Sequence, residues 1–235
     1  NFENINLEEL DLNKLPELEQ FMLHKIFALN NKFKKYFKIY DFHNLYKELL
    51  NFCTVDLSAF YFDIRKDSLY CDEKETIKRK STIKVLNIIL EALLKWFAPI
   101  LSFTTEEIYK LLVKDQKSIH LENFLEVPIK FKNEKINEKW NELIKIRNIC
   151  NISIEEKRAS KEIGSSLEAD LKIQLNQRLK KFTENVDFSE LCITSKAKVD
   201  YTEDIEPIAI TSKARGYKCP VCWKINETTC SRHPQ

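Results

Sequence analysis

The chain holds two glycines, Gly164 and Gly216, in 235 residues. At an ordinary frequency of ~7% it would hold about 16. Glycine supplies the positive backbone angles of tight turns, so a fold of many hairpins is excluded. Walker and dinucleotide loops, which cradle phosphates on glycine-rich backbone, are absent as well. Long helices with few connections remain, and a chain of this length buries a proper core in one or two domains.

Charge adds little, because 38 basic residues nearly balance 36 acidic ones. A net charge of +2 selects no class of partner. The richness in Lys, Asn and Ile reads as genome-wide composition bias. Seven scattered cysteines, an odd number, make no disulfide framework, and no secretory leader precedes them. A reducing cytoplasm is the expected location. The chain opens at Asn1 without methionine and is expected to be part of a longer protein.

The central element is expected at Ser81–Pro99, where Ile83, Leu86, Leu90, Leu93 and Phe97 recur at helical spacing. Val85, Ile88, Ile89, Ala92, Leu94 and Trp96 widen the apolar surface, so this helix should be covered on most sides. Lys84, Glu91 and Lys95 interrupt it too often for a membrane span. Ser81 or Thr82 is expected to cap its start, and Pro99 to end it near Ala98.

Residues 1–13 read as an extended lead-in. A helix is expected over Leu15–Tyr36, with Pro16 in its first turn, ending in the basic run around Lys32, Lys34, Lys35 and Lys38. That run is either a solvated end suited to the helix dipole or a phosphate-facing strip. Asp41 should cap a second helix through Phe52. Asp56–Asp72 fits neither helix nor strand cleanly. Thr104 and Glu107 have capping-box spacing, and Ser118–Phe124 alternates like an extended segment. A long helix follows over Glu134–Lys161. Gly164 then turns the chain into a strand at Ala169–Leu175, a short helix at Arg178–Val186 and two β-rich pieces. These expectations give a mainly α chain in three parts: a helical bundle over 1–125, a helix with a small α/β subdomain over 126–210, and a tail over 211–235.

The tail carries Cys219-x-x-Cys222 and Cys230-x-x-His233. Two ligands separated by two residues bind one ion from a single tight knuckle, and two knuckles complete a tetrahedron around zinc. The alternative is coincidence among ordinary buried cysteines, which is the reading for Cys53, Cys71, Cys150 and Cys192. The tail has too few apolar groups to fold alone, whereas a structural zinc contributes on the order of 10–16 kcal/mol in small peptides. Five cations (Lys213, Arg215, Lys218, Lys224 and Arg232) face Glu227 here, a balance of +4. Trp223 among them suits single-stranded nucleic acid, held by phosphate attraction and base stacking. It equally suits a lid over the metal site.

Taken in order, DLSAFYFDIRKDSLYCD, APILSFTTEEIY, EEKRASKEIGSSLEADLKI and SKARGYKCPVCW with its terminal knuckle resemble the C-terminal region of bacterial isoleucyl-tRNA synthetases. The first motif is shared in part with the valyl and leucyl enzymes; the combination is more specific. The resemblance implies a helical-bundle anticodon-binding domain, a small α/β unit and a zinc knuckle. In that family the bundle binds the tRNA anticodon stem-loop and the zinc module adds contacts at the anticodon. It departs in two places, a seven-residue spacer and His233 where the family usually has cysteine. Neither His-Ile-Gly-His nor Lys-Met-Ser-Lys-Ser occurs. The chain is therefore expected to lack catalytic activity, while the full enzyme would join isoleucine to its tRNA with ATP and magnesium.

Cysteines 219, 222 and 230 with His233 are thus the expected zinc ligands. Trp223, Lys218, Lys224 and Arg232 in the tail, with Arg79, Lys80, Arg65 and Lys66 near the central helix, are the expected RNA contacts. RNA is expected between the start of that helix and the zinc module. Isoleucine tRNA, bound by a monomer, is the expected partner. For Arg65 and Lys66 an internal ion pair with Asp63 or Asp67 is the alternative. The competing function is a helical protein-interaction module with a purely structural zinc. A repair glycosylase, whose zinc finger is similar to this tail, needs a Pro-Glu amino terminus that Asn1-Phe2-Glu3 does not supply, and DNA is not an expected partner.

Overall fold

A computed structural model describes residues 5–113, 117–203 and 206–233. It is mainly helical, and its contacts form two compact units. One is Asn1–Leu69 with Glu73–Ile136; the other is Tyr70–Asp72 with Asn137–Gln235. The expected division into three parts, at 125 and 210, remains an expectation beside this grouping. Residues 1–4 of the expected lead-in lie outside the described residues; beyond them the chain turns at 7–9 and buries Leu7. Among the described residues no helix is long and apolar enough to cross a membrane.

The first unit is built on α1 (Glu17–Lys38) and α4 (Ile77–Phe97), which pack together. Asp41 caps α2 (Phe42–Asn51) as expected, accepting from the Asn44 N–H at 3.1 Å. The chain then continues without a break through a π-helix, Phe52–Phe62, into α3, Asp63–Cys71. Bonds from i to i+5 widen each turn, and Phe52, Leu57, Phe60 and Tyr61 are its buried residues. Short α5, Ser102–Leu112, follows α4. Trp96 is enclosed by Phe33 and Phe52, with ring centroids 5.0 and 6.0 Å away. Its indole N–H donates to Asn30 Oδ1 at 3.0 Å, and Asn30 Nδ2 donates to the Leu125 carbonyl at 2.8 Å.

Three local expectations are corrected. α4 starts at Ile77, capped by the Thr76 hydroxyl, and not at Ser81 or Thr82, which are buried. Its inward face is Thr82, Val85, Ile89, Ala92 and Trp96, one residue behind the expected face, and Ile83 is exposed. The Thr104–Glu107 capping box does not form, because α5 begins two residues earlier. Glu106 instead accepts from the Ser118 hydroxyl and the Ile119 N–H, both at 2.9 Å. Ser118–Phe124 is extended except for one 3-10 turn at Ile119–Leu121.

Polar groups fix the register of the bundle. Glu19 has no exposed surface, and Arg65 is 3% exposed. Arg65 donates to both Glu19 oxygens, at 2.7 and 2.6 Å. The hydroxyls of Tyr61 and Thr82 approach Oε1 at 3.2 and 3.1 Å.

In the second unit, β1 (Ala169–Asn176) is the central strand of a sheet ordered β2-β1-β3. It runs parallel to β2 (Lys196–Thr202), with Asp170 opposite Lys196, and antiparallel to β3 (Ile208–Lys213), with Ala169 opposite Lys213. Ala169, Leu171, Ile173 and Leu175 alternate inward. A parallel pair needs a crossover, and here it carries α7 (Lys180–Thr183) and α8 (Phe188–Leu191). From α6 (Glu134–Ala159), Ser153 meets Thr211 at 2.8 Å and Arg147 donates to the Leu191 carbonyl at 2.9 Å. The tail forms a small hairpin, β4 (Tyr217–Lys218) with β5 (Ile225–Asn226). Gly216 before it has φ +129°, and a Cβ there would lie 2.1 Å from the Asn226 carbonyl oxygen, so only glycine fits.

Removing one partner from a buried ion pair leaves an uncompensated charge. Glu19→Ala is expected to cost about 3–5 kcal/mol in urea unfolding of the bundle. Glu19→Leu combined with Arg65→Met is expected to cost less than the sum of the single changes.

Candidate metal centre and nucleic-acid surface

The two expected knuckles come together within the second unit. Cys219, Cys222, Cys230 and His233 place one ligand atom each within 4.8 Å of one another. Each knuckle is closed by its own backbone. The Trp223 N–H donates to the Cys219 carbonyl at 3.0 Å, and the His233 N–H to the Cys230 carbonyl at 3.2 Å. The hairpin supplies another constraint, the Cys219 N–H donating to the Lys224 carbonyl at 2.9 Å.

These separations can be tested against coordination chemistry. A tetrahedral ion of zinc's size, with metal–sulfur bonds near ~2.3 Å and a metal–nitrogen bond near ~2.05 Å, sets sulfur–sulfur distances of about 3.8 Å and sulfur–nitrogen distances of about 3.6 Å. Cys222 Sγ and Cys230 Sγ are 3.9 Å apart. His233 Nδ1 lies 3.6 Å from both Cys219 Sγ and Cys230 Sγ. The residues present fit such an ion.

The surroundings favour ionised sulfur at Cys219 and Cys230 but not at Cys222. The Cys222 N–H that points at Cys219 is the main cause drawing that thiol down to about 6. Burial opposes ionisation of Cys230, but the N–H groups of Arg232 and His233 outweigh it and lower that thiol too. Burial pushes Cys222 up to about 11, so this is the proton a bound dication would have to displace.

Beside the cluster, Trp223 stands 60% exposed, with the Lys218 ammonium 5.5 Å from its ring centroid. An indole so open to solvent is not a buried lid over the metal ligands. Its φ of +63° is unfavourable for a large side chain. Tyr217, two residues before the first ligand, is 79% exposed and was not among the expected contacts. It lines a cavity of about 290 Å³ with Lys218, Asn226, Thr228 and Thr229.

The other expected contacts divide. Arg65 is corrected: it is a buried partner of Glu19 and cannot reach a phosphate. Lys66 is on the surface, 3.5 Å from Asp63, and Lys80 pairs with Glu75. Arg79 is half-buried in the first turn of α4. Arg232 is held by Asp72 at 2.6 Å. Lys224 is half-buried; burial works to raise the nearby Asp187 carboxyl, but hydrogen bonds from the Ser189 hydroxyl and the Glu190 N–H, with the Lys224 charge behind them, lower it. In the basic run of α1, Lys32 is tied to Glu48 and Lys34 lies 5.9 Å from the Phe124 ring centroid, while Lys35 and Lys38 are exposed in its last turn.

Elemental analysis of protein purified without added metal is expected to find one metal equivalent per chain. Cys222→Ser should abolish it and loosen residues 217–233 while circular dichroism of the helices is kept. A metal content near zero would contradict the fit.

The profile described as the anticodon-binding domain of tRNA ligase matches residues 19–175. The isoleucine–tRNA ligase of Pelagibacter ubique (strain HTCC1062) is 67% identical over 232 residues, which is 99% of this chain and 26% of that protein. The isoleucine–tRNA ligases of Bartonella henselae and Agrobacterium fabrum are 37% and 36% identical, over 94% and 98% of this chain. The chain spans about a quarter of the length of these relatives. Because the matched profile runs through more than half of its residues, the chain belongs to the anticodon-binding domain family of tRNA ligases.

Proposed function

We propose that this chain is the anticodon-recognising part of an isoleucine–tRNA ligase, with a structural zinc in its tail. The observation that carries the reading is the anticodon-binding profile over 19–175, joined to relatives of one amino-acid specificity that align with nearly the whole chain. Activation of isoleucine with ATP and magnesium, and its transfer, would belong to the remainder of such a ligase. The reading takes the chain as a monomer in the cytoplasm, with isoleucine tRNA as partner. Three thiolates and one imidazole favour zinc over hard cations such as magnesium, which prefer oxygen.

An anticodon loop presents unstacked bases between phosphates, and its receptor needs a π-face with cations nearby. Trp223 with Lys218 supplies that pair. Lys80 and Lys66 are candidates for phosphate contact despite their carboxylate partners. Surface pairs of this kind are worth under ~1 kcal/mol, so a phosphate can compete for the ammonium. Arg232 is a weaker candidate, because Asp72 already holds its guanidinium.

Binding of isoleucine tRNA, measured against an unrelated tRNA at matched salt, tests the proposal. Trp223→Ala is expected to cost about 1–3 kcal/mol with little change in salt dependence. Lys80→Ala should lower the salt slope by roughly one unit, the loss of a single phosphate contact. If neither tRNA binds, the protein-interaction reading replaces this one.

A further inference from the structure

His233 is the one imidazole in the cluster, and both of its nitrogens are engaged. Nε2 lies 2.9 Å from the main-chain carbonyl oxygen of Cys71. A carbonyl has no proton to give, so Nε2 carries the hydrogen and donates it. In the neutral ring the lone pair then belongs to Nδ1, the atom 3.6 Å from two sulfurs. A carbonyl behind a ligating imidazole orients the ring and fixes its tautomer, and removing such support weakens metal sites. Two further contacts converge on the same short segment. Arg232 Nη2 donates to Asp72 Oδ1 at 2.6 Å, and the Cys71 thiol lies 3.7 Å from the Val221 carbonyl oxygen. Residues Tyr70–Asp72, the end of α3 and the residue after it, accordingly group with the second unit.

We infer that His233 is a latch as well as a ligand: it binds the metal through Nδ1 and holds residues 71–72 through Nε2–H, so that metal loading orders this segment. The inference rests on the metal reading above and goes beyond it, because a fourth cysteine would fill the coordination site equally well and hold nothing. The imidazole spans two partners on opposite edges of its ring, which a thiolate cannot do. Loss of the ion frees the ring to turn, and the Cys71 carbonyl then loses its fixed donor.

The test uses the whole chain loaded with zinc. Long-range proton–nitrogen NMR of His233 is expected to show Nε2 protonated and Nδ1 metal-bound; the opposite assignment would overturn the latch. His233→Cys is expected to keep one zinc per chain while trypsin cleavage after Lys74 speeds up roughly fivefold to tenfold, the weight of one hydrogen bond. Equal cleavage rates at full zinc loading would also overturn it. If His233→Cys fails to take up zinc, the tautomer in the parent chain decides. A parent chain that holds no metal removes the metal reading, and the latch with it.

Discussion

A carboxylate with no access to water sits at the centre of the helical bundle. Taking Glu19 and Arg65 out of water costs several kcal/mol for each ion, and only near-ideal geometry offsets it. The bidentate contact supplies that geometry, and the hydroxyls of Tyr61 and Thr82 complete it. Because these four side chains come from α1, the π-helix, α3 and α4, the pair allows one arrangement of the elements. It also sets the rotation of α4. With Thr82 turned inward, Val85, Ile89, Ala92 and Trp96 follow at steps of three and four. The face read from hydrophobicity begins one residue later, at Ile83, about 100° around the helix. A reading that ranks positions by apolarity passes over a buried threonine and starts at Ile83, although the wider surface it named, Val85, Ile88, Ile89, Ala92, Leu94 and Trp96, is buried.

The same pair explains what was hidden in IRKDSLY. Arg65 stands between aspartates, yet its partner is 46 residues away, a distance no local charge pattern reveals. The π-helix escaped for another reason, since a shift from i-to-i+4 to i-to-i+5 bonding has no signature in the apolar spacing used to find helices and strands. What the sequence did expose was chemistry with short-range rules: the cap at Asp41, the alternation of β1, and the knuckles, whose ligands are separated by two residues. The small sheet was expected, but its mixed pairing was not, because strand direction depends on where the crossover helices pack.

Scarcity of glycine leaves a trace in the backbone. Positive φ occurs at Tyr40, Lys161, Asn185 and Ile193, each two residues beyond the last residue of a helix. Helices commonly end with glycine in that conformation. Here ordinary side chains occupy it, at roughly 1–2 kcal/mol each. Trp223 is the fifth such residue, and it lies in a metal knuckle with its ring in solvent. Neither packing nor turn geometry asks for tryptophan there.

Trp223, Tyr217 and nearby cations stand exposed on the tail, and further cations stand exposed on the helices. The central claim is that those groups meet the anticodon arm. Hydroxyl-radical footprinting of isoleucine tRNA bound to the zinc-loaded chain tests this most directly. The account predicts protection confined to the anticodon stem and loop, with the loop signal lost in Trp223→Ala. Protection of the acceptor stem instead, or an even pattern along the whole tRNA, would contradict it.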